Sequence, residues 1–160
     1  MTIQVGDSLP NVRVQILPGA TLQDVSIRDL CANGVTVLFA VPGAFTPACS
    51  ARHLPGFLEH AEALKAKGVD RIACIAVNDA FVMSAWAAIN HADGKIMMLA
   101  DGNGDFAKAT GLSSDASPWG MGLRSQRYAM VVKDGRVTHL FVDAPGAFEV
   151  SAAQYVLNRL

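Results

Sequence analysis

The run VTVLFAV at residues 35–41, set between Gly34 and Pro42, constrains the fold more than any other stretch of this chain. A strand with one wet face alternates apolar and polar residues. An unbroken, β-branched apolar run reads instead as a strand covered on both faces. Such a strand needs helices above and below it, and connections long enough to place them. A chain of 160 residues suffices for one domain with a real hydrophobic core and no disulfide or metal support. Residues 1–160 are therefore expected to form a single domain.

The flanking sequence supplies the alternation. A short alternating segment, Asn11 to Ile16, precedes the central run. After it, Thr46 stands before Pro47, the pattern of an N-cap followed by proline at the first helical position. The helix then predicted runs to a glycine stop at Gly68, with a kink near its middle at Pro55. IACIAV at 72–77 reads as a second buried strand ended by Asn78, and Asp79 opens a helix over DAFVMSAWAAINH. KIMMLA at 95–100 is a third strand, followed by a short helix stopped by Gly111. Leu112 to Ser125, rich in Ser, Gly and Pro, reads as a loop. RYAMVV and RVTHLFV are joined by Lys133, Asp134 and Gly135, whose Asp-Gly pair marks a tight hairpin. A last helix capped by Ser151 completes the chain. The expected fold class is α/β, a mixed central sheet with helices on both faces. That order serves a thioredoxin-like fold and a small doubly wound domain alike.

Charge excludes several roles. Thirteen Lys and Arg against fourteen Asp and Glu, with a pI near 6.4, leave no cationic field for nucleic acid or anionic lipid. The longest apolar stretch, Val35 to Val41, falls far short of the roughly 20 residues of a membrane span. Only 17% of residues are charged and 51% are apolar, against roughly 25% charged in an average domain, so surplus apolar surface points to an oligomer interface. Three cysteines, Cys31, Cys49 and Cys74, form an odd set without C-x-x-C, which argues for reduced thiols in a cytosol. MTIQVGDSLP shows no secretory or organellar address, so a cytoplasmic protein beginning at or near Met1 is expected.

Cys49 is the residue whose position points to chemistry. Thr46, Pro47, Ala48 and Cys49 fill the N-cap and first three positions of the predicted helix, beside unpaired N–H groups and the positive end of the dipole. Such surroundings lower a cysteine pKa from ~8.5 to between about 3.5 and 7.5, whereas an apolar strand raises it. Ionisation alone has a ceiling, because an unshifted thiol is already a few per cent ionised at pH 7 and complete ionisation gains roughly 30-fold, about 2 kcal/mol. Any larger rate must come from aligning the substrate and stabilising its transition state.

PGAFTPACS, from Pro42 to Ser50, resembles the active-site signature of the peroxiredoxins of the type II, or peroxiredoxin-5, class. The likeness continues in order through HLPGF, EALKAKGV, CIAVNDAFV and SQRYAMVV, and so covers nearly the whole chain. It implies a thioredoxin fold and thiol-dependent reduction of hydrogen peroxide and organic hydroperoxides, with no cofactor and no metal. Position by position, Cys49 resembles the peroxidatic cysteine and Thr46 the hydroxyl that contacts the peroxide. Pro42 resembles the ring that shields the thiolate, and Arg127 the guanidinium, with Arg124 as its rival. Thr46, Arg127 and the helix-start amides are expected to stabilise the departing oxygen.

Many members of this class carry a second cysteine near the C-terminal end, and this chain has none after Cys74. Cys74 matches a cysteine of plant-like members, yet its place in an apolar strand suits an inert thiol; it is a possible resolving residue. The simpler cycle uses one cysteine and an external thiol, glutathione with glutaredoxin or else thioredoxin. The resemblance also implies a homodimer, with Phe45, Phe81 and Trp86 as candidates for its contact. Phe81, Met83 and Trp86 fit the apolar side of one helix.

His53, four residues past Cys49 on one helix face, suggests a Cys-His hydrolase, but no carboxylate and oxyanion pattern accompanies it, and polar packing at the site rim fits better. DGNGDF at 101–106 imitates a calcium loop and fails at Phe106 and Leu112. A non-enzymatic redox sensor acting through oxidised Cys49 is the alternative from a different class; a disulfide reductase is weakened by the missing C-x-x-C.

Overall fold

The computed structural model describes residues 1–160 apart from the side chain of Cys49. Its centre is β3 (Val35–Ala40), fully buried from Thr36 onward, as the apolar run requires. β3 pairs in parallel with β4 (Arg71–Ala76), which pairs in parallel with β5 (Met97–Ala100). On its other side β3 pairs antiparallel with β8 (Tyr128–Lys133), and β8 with β9 (Arg136–Val142). With β1 (Arg13–Ile16) and β2 (Gln23–Ser26), these make a seven-stranded mixed sheet in the order β2-β1-β5-β4-β3-β8-β9.

Because neighbouring residues of a strand point to opposite faces, the sheet carries two cores. Val37, Phe39, Cys74 and Val131 face one side, where α2 (Leu54–Glu59), α3 (Ala61–Ala66), α4 (Ala80–Ile89) and α6 (Ala153–Leu157) pack. Leu38, Ala40, Ile75 and Met130 face the other, against α1 (Ile27–Leu30) and α5 (Asp105–Thr110). Helices thus cover both faces, and the architecture is the thioredoxin-like one. The β8–β9 turn has Asp134 at φ 50° and Gly135 at φ 82°, the pair of positive values that a two-residue primed turn demands. Asp79 caps α4, its carboxylate accepting from Val82 N at 2.8 Å. No helix among the described residues is long and apolar enough to cross a membrane.

Several expectations need correction. Leu112–Ser125 is not a plain loop: β6 (Ser113–Asp115) and β7 (Leu123–Ser125) pair antiparallel around a 3-10 turn at Ser117–Trp119. Ser and Gly content hid strands too short to show a period. The long helix after Thr46 is broken at His60. Its distortion also precedes Pro55, as a π-helical turn at Cys49–His53. Pro55 has no N–H for the Ala51 carbonyl and its ring excludes that oxygen, so the turn before it widens. Ser151 does not cap α6; the N-cap is Ala152, and the Ser151 hydroxyl donates to Asp143 instead. On α4, Met83 and Trp86 are buried while Phe81 is exposed, so the three do not share a face. The 101–106 segment is a helix cap, with the buried Asp101 carboxylate accepting from Phe106 N and Ala107 N, both at 3.0 Å.

Candidate active site

The site grows from the end of β3. Pro42, half-buried, terminates pairing, and Gly43–Thr46 forms a tight turn in which Thr46 N donates to Gly43 O at 3.3 Å. Phe45 takes φ 66°, a left-handed conformation that bulky side chains rarely adopt. Three contacts hold the turn in place. Ala44 N donates to Asn78 Oδ1 at 2.9 Å, Thr46 Oγ1 donates to Gly43 O at 2.6 Å, and Arg124 Nη1 reaches Pro42 O at 3.5 Å. Gly43 lets Arg124 come close: a Cβ there would lie 2.9 Å from Arg124 Nη1 and 3.1 Å from Thr46 Cγ2, so a side chain at this position would push the guanidinium aside.

Thr46 occupies the N-cap position in its backbone: its carbonyl accepts from Ser50 N at 3.0 Å, the first helical bond. Its hydroxyl proton, however, is committed backward to Gly43 O. What Oγ1 offers a ligand is therefore its lone pairs, as an acceptor. Cys49 opens the π-helical turn; its sulfur lies outside the described residues. Ser50 Oγ, next to it, accepts from the indole of buried Trp86 at 3.0 Å, which anchors the turn to α4.

Arg127 and Arg124 part company here. Arg127 directs Nη1 at His53 Nδ1, 2.7 Å away, and so is tied to the helical segment that carries Cys49. Arg124 is tied to the loop, donating from Nε to Met121 O at 3.0 Å and from Nη1 to Pro42 O. Pro42, Thr46 and Arg124 thus meet on the loop side, and Arg127 and His53 on the helix side of the Cys49 turn.

His53 is the residue the sequence reading undervalued, since it is wholly buried where a rim position was expected. Its ring sits between Phe39 and Phe148, with centroids 4.9 and 5.0 Å away. Its partners fix its state: Ser151 O, at 3.0 Å from Nε2, can only accept, and the guanidinium can only donate. The proton is on Nε2 and the ring is neutral. Burial, reinforced by the Arg127 charge, lowers its pKa to about 3. The Ser151 carbonyl is in turn held by Asp143, whose carboxylate accepts from Glu149 N, Val150 N, Ser151 N and Ser151 Oγ. The i+4 spacing from Cys49 was the available signal for His53; Asp143 had none.

A depressed histidine pKa has a consequence for stability. Between pH 6.5 and 3 the unfolded chain binds a proton at position 53 that the folded chain refuses, so stability rises with pH through this window and is complete above it. Urea unfolding at pH 7.5 and 5.5 is expected to show a loss of about 1.4 kcal/mol in the wild type that His53→Gln lacks. Identical pH responses in the two proteins contradict this account of His53.

Cys74 is buried in β4, paired in register with Phe39, and its side chain joins the core beneath α2 and α4. Cys31 is also buried, and burial pushes its thiol up. Among the described residues no group of three His, Cys, Asp or Glu is placed to hold a metal ion.

Fold and site together define a thioredoxin-like protein with a cysteine at a helix start and an arginine roped to that helix. The sequence pattern of the Redoxin family matches residues 4–157. Peroxiredoxin-2E-2, chloroplastic, of Oryza sativa subsp. japonica is 48% identical over 164 residues, covering 99% of this chain and 73% of that protein. Reduced Prx3 of Vibrio vulnificus in complex with H2O2 is 50% identical, with a TM-score of 0.95 over 99% of each chain. Peroxiredoxin 5 of Alvinella pompejana is 35% identical, with a TM-score of 0.85 over 98% of this chain and 96% of that one. This chain belongs to the Redoxin family and, within it, to the peroxiredoxins.

Proposed function

We propose that this peroxiredoxin reduces hydrogen peroxide and small organic hydroperoxides through Cys49 and is recycled by an external thiol. The observation that carries the reading is the 2.7 Å bond from Arg127 to His53, four residues past Cys49, which brings a guanidinium from β7–β8 to the cysteine's helical segment. The Cys49 thiolate attacks one peroxide oxygen; the O–O bond breaks, sulfur becomes the sulfenic acid, and the other oxygen leaves as alkoxide or hydroxide and takes up a proton. Thr46 Oγ1 accepts the hydroperoxide O–H, which orients the bond for in-line attack, and Arg127 stabilises the charge that develops on oxygen. Pro42 presents a ring without an N–H, shielding the thiolate without competing for it.

A reductant thiolate then attacks the sulfenic sulfur, the S–O bond breaks, and water leaves with an added proton. A second thiol releases the mixed disulfide. Glutathione with glutaredoxin is our preferred reductant, ahead of thioredoxin, because Cys74 is buried in the core and suits a structural thiol better than a resolving one. Purified protein with hydrogen peroxide and a panel of glutathione, glutaredoxin and thioredoxin tests the assignment: thiol consumption that depends on peroxide is expected, and none with any reductant refutes it. In the same assay Cys74→Ser is expected to keep glutaredoxin-coupled turnover; its collapse would show that the one-cysteine cycle is wrong. A homodimer is part of the reading, with Phe45 and Phe81, both exposed, as its apolar contacts, whereas Trp86 is buried within the subunit. So is a cytoplasmic location, which suits reduced thiols and which cell fractionation checks.

A further inference from the structure

Beside the Cys49 turn the structure holds a second guanidinium whose purpose the peroxide step does not explain. Arg52 is exposed, three residues past Cys49, and its guanidinium carbon lies 5.0 Å from the centre of the Phe148 ring. Arg127 lies 5.7 Å from the same ring, so one aromatic side chain carries two cations. The His53 ring beside Phe148 is neutral and offsets neither charge. Among the described residues Arg52 has no hydrogen bond and no carboxylate at ion-pair distance. The attraction of a ring face for a cation holds the guanidinium beside Phe148 and uses none of its N–H donors, which leaves them to a partner such as a carboxylate.

We propose that Arg52 is the recognition residue for a carboxylate on the incoming thiol, so that the reductant attacking oxidised Cys49 is a small carboxylate-bearing thiol of the glutathione kind. This rests on the peroxidase reading above. Charge complementarity selects the occupant: the attacking thiolate and its carboxylate are both anions, and the Arg52–Phe148–Arg127 group presents positive charge where they must arrive. Arg52 touches the co-substrate and not the peroxide, so its effect belongs to the recycling step alone.

The full-length protein, oxidised with one equivalent of hydrogen peroxide, is mixed with glutathione or with glutathione diethyl ester, whose carboxylates are masked. Mass spectrometry follows the mixed disulfide on Cys49. The wild type is expected to react faster with glutathione than with the ester. Arg52→Gln is expected to lower the glutathione rate constant about five-fold, as for a single charge-assisted contact at an exposed site, with the ester rate unmoved; Arg52→Lys recovers part of the loss. Equal rates of the wild type with the two thiols, or an equal loss with both in Arg52→Gln, overturns the Arg52 assignment while leaving the peroxidase reading intact. Failure of hydrogen peroxide to oxidise Cys49 in the wild type overturns that reading itself.

Discussion

The Cys49→Ser variant is expected to consume no thiol in the presence of peroxide while unfolding at the same urea concentration as the wild type. A serine hydroxyl at neutral pH is not ionised, and even beside helix-start amides it lacks the polarisable anion that attacks an O–O bond. Nothing else in the site replaces it. Cys31 and Cys74 are both buried in the two cores of the sheet, on opposite faces. Loss of a nucleophile from an intact site lowers turnover on the order of 10⁵-fold or more, which in a coupled assay reads as zero. Residual turnover above a hundredth of the wild-type rate would place the chemistry on another residue. Because Ser50 and Trp86 anchor the turn independently of position 49, a change in the unfolding midpoint is not expected to accompany the loss.

The second large effect concerns Arg127. Arg127→Gln is expected to lower the second-order rate constant with hydrogen peroxide on the order of 10²–10³-fold, the usual result of deleting one donor that stabilises a developing oxyanion. Two mechanisms compete to explain such a loss, and their magnitudes separate them. If Arg127 worked only by keeping Cys49 ionised, the deficit could not exceed roughly 30-fold and would vanish at pH 9.5, where a cysteine of ordinary pKa is mostly thiolate. If it stabilises the transition state, more than a ten-fold deficit persists at pH 9.5. Stopped-flow measurement of the peroxide step at pH 7 and 9.5 decides between them. Disappearance of the deficit at high pH would reduce Arg127 to an ionisation aid.

Much of this architecture was legible because it is local. VTVLFAV between Gly34 and Pro42 had to be a covered strand, and β3 is one. Asp79 three residues before Val82 had to cap a helix, and Asp134-Gly135 had to turn a hairpin. The turn before Cys49 announced itself through Thr46-Pro47. What escaped was non-local or too short for a period. β6 and β7 span three residues each and are held together across a loop. The stacking of His53 on Phe39 and its bonds to Arg127 and Ser151 join positions 14, 74 and 98 residues apart, which no spacing within one element records. His53 was noticed for its helical offset from Cys49, but only the fold shows that it faces inward and serves the arginine. Asp143 gave no sign at all: an acidic residue in a turn is ordinary, and its four accepted bonds exist only once residues 149–151 fold back over it.

Asp143, Phe148 and Ser151 follow the last strand, yet they fix the His53 ring, 98 residues before Ser151, and through it the posture of the Arg127 guanidinium. During synthesis, then, position 49 leaves the ribosome long before its guanidinium can be aimed. A chain stalled short of residue 149 accordingly keeps a thiol of ordinary reactivity toward oxidants and lacks the aligned guanidinium.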